Sequence, residues 1–96
     1  IIDGSHRAEC AAVGVRCLKD DGFIISDNSD WYEETSKFLR GNDFIEIDMS
    51  GFGPINNYTW TTSIFLRRGV DLCPRADRQP KNSIGSLINP EVSRLN

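Results

Sequence analysis

Apolar residues along the chain fall into short clusters separated by polar turns. Ile1-Ile2-Asp3 reads as the end of a buried strand that stops at Gly4. From about His6 to Leu18 the spacing changes. Cys10, Val13, Gly14, Cys17 and Leu18 recur at i, i+3, i+4, i+7 and i+8, which predicts one apolar face of a helix. Ser5 is placed to cap it, and Arg7, Glu9 and Arg16 fall off the stripe. Lys19-Asp20-Asp21-Gly22 is a turn. Phe23-Ile24-Ile25 is a continuous apolar run, as expected of a strand with helices on both faces.

A polar loop, Ser26 to Asp30, follows that strand directly. Asp30 and Glu33 have capping-box spacing and predict a second helix from about Trp31 to Arg40. Trp31, Thr35, Phe38 and Leu39 share one face of it, and Gly41 is a natural C′ stop. Asp43 to Met49 alternates Phe44, Ile45 and Ile47 with Glu46 and Asp48, a partly exposed strand. Ser50 to Asn57 is a loop of turn formers, and Tyr58 to Leu66 is β-branched and aromatic, the clearest strand in the sequence. After it, Pro74, Pro80 and Pro90 interrupt a stretch without sustained periodicity. This predicts an irregular tail over 69–96, with a short helix near Pro90-Glu91-Val92 capped by Asn89. Strands alternating with helices predict an α/β architecture. The last strand needs no crossover helix and returns antiparallel, at or near a sheet edge.

Composition narrows the functional classes. At 96 residues the chain is one domain. With 39% hydrophobic residues its core is thin, since chains of this size bury roughly 60–70% of their unfolded surface. A net charge of -3 argues against sequence-independent nucleic-acid binding, and no apolar run is long enough to span a membrane. Cys10, Cys17 and Cys73 are an odd number and make no closed disulfide framework. Cys10 and Cys17 read as small buried hydrophobes, and the cytoplasm is the default compartment.

In open α/β sheets ligands bind outside the carboxyl ends of the strands. Asp3-Gly4-Ser5-His6, Ser26-Asp27-Asn28 and Asp48 to Asn57 occupy such ends. The first two lie side by side if their strands are neighbours, and this convergence of carboxylates and an imidazole is the sharpest functional signal.

The order Ile1-Ile2-Asp3-Gly4-Ser5-His6-Arg7, helix, Leu18-Lys19-Asp20-Asp21-Gly22-Phe23-Ile24-Ile25-Ser26-Asp27-Asn28, helix resembles the second half of a class I S-adenosylmethionine-dependent methyltransferase. In that family the fourth strand often ends in an Asp-Gly-x-His-like motif. The fifth follows a Pro-Gly-Gly turn, here Asp20-Asp21-Gly22, and ends in an Asp-Asp or Asp-Asn pair. Gly51 to Phe65 resembles the sixth-to-seventh strand connection. The resemblance covers about residues 1–68. The family's Gly-rich loop and ribose-holding acid do not occur in this sequence. The resemblance therefore implies the carboxy-terminal half of a Rossmann-like sheet, about four strands with the last antiparallel and two main helices. An amino-terminal half would lie elsewhere, and this chain alone would be inactive.

What the resemblance implies about chemistry is specific. Asp3, Gly4 and Ser5 would contribute to S-adenosylmethionine binding. His6, with Asp3, would act on the proton of a small-molecule methyl acceptor, because a free imidazole titrates near neutrality. Asp3, Asp27 and Asn28 match by type the magnesium set of catechol-type members, and hard oxygen ligands suit Mg2+. Asp27, Asn28, Trp31, Tyr58 and Trp60 would line the acceptor pocket. Each residue also has a plain structural use: Asp27 and Asn28 as a strand stop, His6 in a first helical turn, Trp31 and Trp60 as packing, Arg67 and Arg68 as a solvated strand end. A second functional class is a non-catalytic α/β module that oligomerises or binds a missing partner through an exposed strand edge. A phosphate-binding domain is disfavoured by the lack of a phosphate-cradling Gly loop.

Overall fold

The computed structural model describes residues 1–73 and 84–87. The short helix expected near Pro90-Glu91-Val92 and most of the tail lie outside them. The elements run α1 (Arg7–Cys17), β1 (Phe23–Ser26), α2 (Glu33–Gly41), β2 (Phe44–Phe52) and β3 (Thr59–Arg67). The α/β expectation holds at that level. The described strands form one three-stranded sheet in the order β1-β3-β2, with β3 antiparallel to both neighbours. β1 and β2 therefore run the same way, and the reversed strand lies between them rather than at the edge.

The opening segment contributes less than a full fourth strand. Ile2 alone makes a parallel bridge to Ser26. Its N–H donates to the Ile25 carbonyl at 2.7 Å and its carbonyl accepts from the Asp27 N–H at 3.0 Å. The left-handed Gly4, at φ 89°, then turns the chain away from the sheet.

Both helices pack on one face of the sheet. Ala11 of α1 and Leu39 of α2 meet Ile2, Ile24, Phe44 and Phe65 in a single buried cluster. Register explains the pairing, since Ile24 and Glu46 flank Phe65 on its two sides. The other face of the sheet carries Phe23, Ile45, Ile47 and Met49, all exposed. The run Phe23-Ile24-Ile25 is thus covered on one face only, contrary to the two-sided expectation.

α1 is rotated from its expected setting. It buries Arg7 and Ala11, while Cys10, Val13 and Cys17 are exposed. Close approach is the reason. A methyl group built on Gly14 would come within 3.3 Å of Ile24 Cδ1, so α1 sits on the sheet through its smallest residues. The apolar stripe does exist, but it lines an open groove of about 250 Å³ together with Ile1, Ile2, Phe23 and Ile24. At its carboxyl end Arg67 Nη2 donates to the Val15 and Leu18 carbonyls, both at 2.9 Å. A cation at that end also complements the helix dipole. Arg67 is therefore a helix cap, not a solvated strand end, and its neighbour Arg68 pairs with Asp43 at 2.7 Å.

The expected caps are replaced. His6 and Tyr32 occupy the N-cap positions, neither with a side-chain cap bond. Ser5 Oγ instead lies 3.1 Å from His6 Nδ1, and Asp30 Oδ1 accepts from the Thr61 N–H at 3.2 Å. α2 buries Thr35, Ser36 and Leu39 and leaves Trp31 and Phe38 outside. Gly41 is its last helical residue, and Asn42 closes the turn with Nδ2 donating to the Phe38 carbonyl at 2.8 Å.

Candidate functional site

The two loops singled out by the sequence meet at one end of the sheet. The Ile2–Ser26 bridge sets them side by side, and Arg7 ties them together. Its side chain is 6% exposed. Nε donates to the Gly4 carbonyl at 2.9 Å, Nη1 to the Asp27 carbonyl, and Nη2 reaches Asp3 Oδ1 at 3.4 Å. The Tyr32 ring covers the guanidinium at 3.8 Å. A planar cation with five fixed donors suits this multi-acceptor role, and an ammonium does not. Sequence reasoning missed Arg7 because a charged residue off the helical stripe is ordinarily read as solvated.

The loop after β1 is also pinned to β3. Thr62 Oγ1 donates to Asp27 Oδ1 at 2.8 Å, and the Ser29 N–H donates to the Thr61 carbonyl at 2.9 Å. Asn28 adopts φ 50° in this turn, a conformation that Asn tolerates better than most residues. The Trp31 N–H donates to the Asn28 carbonyl at 3.0 Å and brings the indole to the start of β3. There Trp31, Tyr58 and Trp60 meet with ring centroids 6.0–6.4 Å apart, two of the three contacts edge-on. Gly53 seats the group, since a Cβ there would fall 2.5 Å from Trp60 Cζ2. The rings pack on one another, yet Trp31 and Tyr58 stay exposed. The result is a ridge beside Asp27, with open flanks on which a planar ligand can stack.

Asp3, Ser5 and His6 are exposed on the other side of Arg7. His6 holds φ 58° and ψ 39°, a left-handed conformation uncommon in a residue with a side chain. Gly4 faces open space, with no atom within 4 Å of the position a Cβ would take. The backbone at Gly4 is thus open on that side.

The magnesium set fits poorly. Asp3 faces the Arg7 cation, and Asp27 Oδ1 is committed to Thr62. A guanidinium beside a ligand carboxylate opposes a divalent cation at the same place. No group of three or more His, Cys, Asp or Glu among the described residues is arranged to hold a metal ion.

A second polar region lies under α2, on the helix-covered face. Ser29 Oγ is 2.6 Å from Ser63 Oγ, and Ser63 donates to Asp48 Oδ1 at 2.5 Å. Arg40 Nη1 reaches Glu46 Oε1 at 2.8 Å. Burial pushes the Glu46 carboxyl above its ordinary value, and the Asp48 charge adds to this, while Arg40 offsets part of it. Glu46 and Asp48 thus take the helix side of β2, Glu46 half-buried and Asp48 exposed, and Ile45, Ile47 and Met49 take the open face.

No helix among the described residues is long and apolar enough to cross a membrane. No protein-family model matches the chain, and neither a curated protein nor a solved structure matches it.

Proposed function

We propose that the chain is the carboxy-terminal part of a class I methyltransferase-like domain that transfers a methyl group from S-adenosylmethionine to an oxygen or nitrogen of a small molecule. The observation that carries this reading is the junction of the first two loops. Ile2 pairs parallel with Ser26, and Arg7 clamps Gly4 to Asp27, so Asp3 and His6 share one end of the sheet with Asp27 and Asn28. The reversed last strand, beside β1 and β2 running in parallel, accords with the antiparallel return that the resemblance implies. The left-handed His6 adds to it, since backbone outliers cluster at functional sites.

In this reading Asp3, Gly4 and Ser5 form one edge of the cofactor site, and the bound cofactor supplies an electrophilic methyl group. The Trp31, Tyr58 and Trp60 ridge and the Asp27-Asn28 turn orient the acceptor. His6 Nε2 takes the proton of the attacking hydroxyl or amine, while Ser5 fixes the ring through Nδ1. Most of the rate would come from alignment, which is worth up to roughly 7–11 kcal/mol in well-oriented systems.

Two measurements test this. Titration of the 96-residue chain with S-adenosylmethionine is expected to show no tight binding, and micromolar affinity would overturn the half-site view. The reading frame upstream of Ile1 is expected to encode a strand followed by a Gly-rich loop. A start codon directly before Ile1 would sink the enzymatic reading.

The open sheet face favours a second reading, a non-catalytic module that oligomerises. Phe23, Ile47, Ile64, Leu66 and Leu72 line a wholly apolar hollow on it, and exposed apolar patches of this kind mark interaction sites. Sedimentation discriminates the two readings, because a clean monomer at micromolar concentration counts against oligomerisation.

A further inference from the structure

The open face of the sheet carries a projection at one end and a hollow at the other. The hollow measures about 260 Å³ and is lined by Phe23, Ile47, Ile64, Leu66 and Leu72. The projection is the aromatic ridge. Strand alternation puts Trp60 on the same face as Ile64 and Leu66. Trp31 and Tyr58 pack against Trp60 with ring centroids 6.4 and 6.0 Å away. Trp31 is 56% exposed and Tyr58 48% exposed. Leu66 lies about 20 Å further along β3 than Trp60, at about 3.3 Å per residue.

At that separation the ridge cannot fill the hollow of its own chain, but it can fill that of a second copy. A two-fold axis between facing sheets, perpendicular to β3 and level with Ser63, sets the ridge of each copy over the hollow of the other. No like-charge repulsion opposes this. From Ile45 to Met49 and from Trp60 to Leu66 every second residue faces the open side, and none of these is charged. The area also suffices. Three strands of up to nine residues cover roughly 400 Å², and each half-exposed aromatic side chain adds roughly 100 Å². Two copies therefore bury on the order of 1,000–1,200 Å², the low end for specific interfaces, which predicts association in the micromolar range.

We propose that the chain forms a two-fold dimer through its open sheet face, with the Trp31 ridge of each copy seated in the Phe23–Leu66 hollow of the other. The proposal rests on the oligomerisation reading and supplies its partner, a second copy, and its geometry. Aromatic anchors in apolar pockets carry most of the energy of such interfaces. The dimer covers the ridge, so it belongs to the non-catalytic module and not to methyl transfer.

Sedimentation equilibrium of the full chain across the micromolar range, with nuclear Overhauser contacts in a mixture of isotope-labelled and unlabelled chains, tests the proposal. A monomer–dimer equilibrium is expected. Contacts from the Trp31 indole to the Leu66 methyl groups are expected between chains, since the two side chains are too far apart within one. Ile47→Glu, in the hollow, is expected to abolish the dimer. Trp31→Ala, an exposed position outside the buried cluster, is expected to weaken it about thirtyfold and keeps the geometry testable if Ile47→Glu does not fold. A dimer with full affinity in Trp31→Ala, or with its interchain contacts along the outer edge of β2, would overturn this geometry and leave oligomerisation standing. A clean monomer would overturn both, as would a monomer in which Leu87 of the chain's own tail contacts Ile47.

Discussion

The helix-covered face of the sheet has two ends made from the same three strands. At one end Ile24, Phe44 and Phe65 pack against Ala11 and Leu39. Two residues further along each strand, in the direction of β1 and β2, the same face carries Ser26, Glu46 and Ser63, and then Asp48 and Thr61. Beyond Ile24, Phe44 and Phe65 each strand turns polar in that one direction, with Arg67 beside Phe44 as the charged residue of the apolar end. The covering helix follows, with Leu39 over the apolar end and Ser36 over the polar one. Stability is thus concentrated at one end, and groups able to bind or react are left at the carboxyl ends of the parallel pair.

Phe65→Ala should break the comparison outright. Phe65 is fully buried at the centre of the apolar cluster. Such truncations cost roughly 3–5 kcal/mol, against a total stability of about 5–15 kcal/mol for a natural domain. In a core this small, urea unfolding should show a largely unfolded variant in water. A loss below about 1 kcal/mol would mean that the apolar end is not what holds the sheet.

Arg7→Lys comes next in size. Lysine keeps the charge but cannot reach Gly4, Asp27 and Asp3 together or stack on Tyr32 as the guanidinium does. Leaving such acceptors unpaired costs about 1–3 kcal/mol. The loss should be local as well as global. Hydrogen exchange at the Ile2 and Asp27 amides should accelerate more than at the amides of Ile64 and Phe65. Uniform acceleration would show that Arg7 supports the whole fold and not the junction of the loops.

These two residues also mark how far the sequence could be read. β3 was plain because Thr59 to Phe65 is β-branched and aromatic, a composition suited to a central pleated strand. That the two loops lie side by side was legible from the strand–helix order, given neighbouring strands. Arg7 was not, because its burial depends on three acceptors that only the folded turn brings together. The stripe of Cys10, Gly14 and Cys17 was read correctly as apolar and wrongly as buried. Periodicity identifies an apolar face but not whether it meets a partner or an open groove. Glu46 shows the opposite case, being half-buried while Asp48 beside it stays exposed. In an alternating strand the charged side defaults to solvent, and nothing local reveals that Arg40 of α2 reaches across to pair with Glu46.

Glu46 gives the smallest and most discriminating test of the polar end. Its carboxyl is held above the ordinary value, first by burial and then by the Asp48 charge, with the Arg40 pair acting against both. The folded state therefore binds this proton more tightly than the unfolded chain does. The resulting contribution is fully present below the unfolded value of about 4.5 and is lost as pH rises through the raised folded value. Glu46→Gln removes that titration. Its stability, followed by urea midpoint from pH 4 to 7, should fall less with rising pH than that of the parent chain. If instead the variant loses stability most at neutral pH, the Arg40–Glu46 ion pair outweighs burial. The polar end would then be a second stabilising cluster, and its contrast with the Phe65 end would disappear.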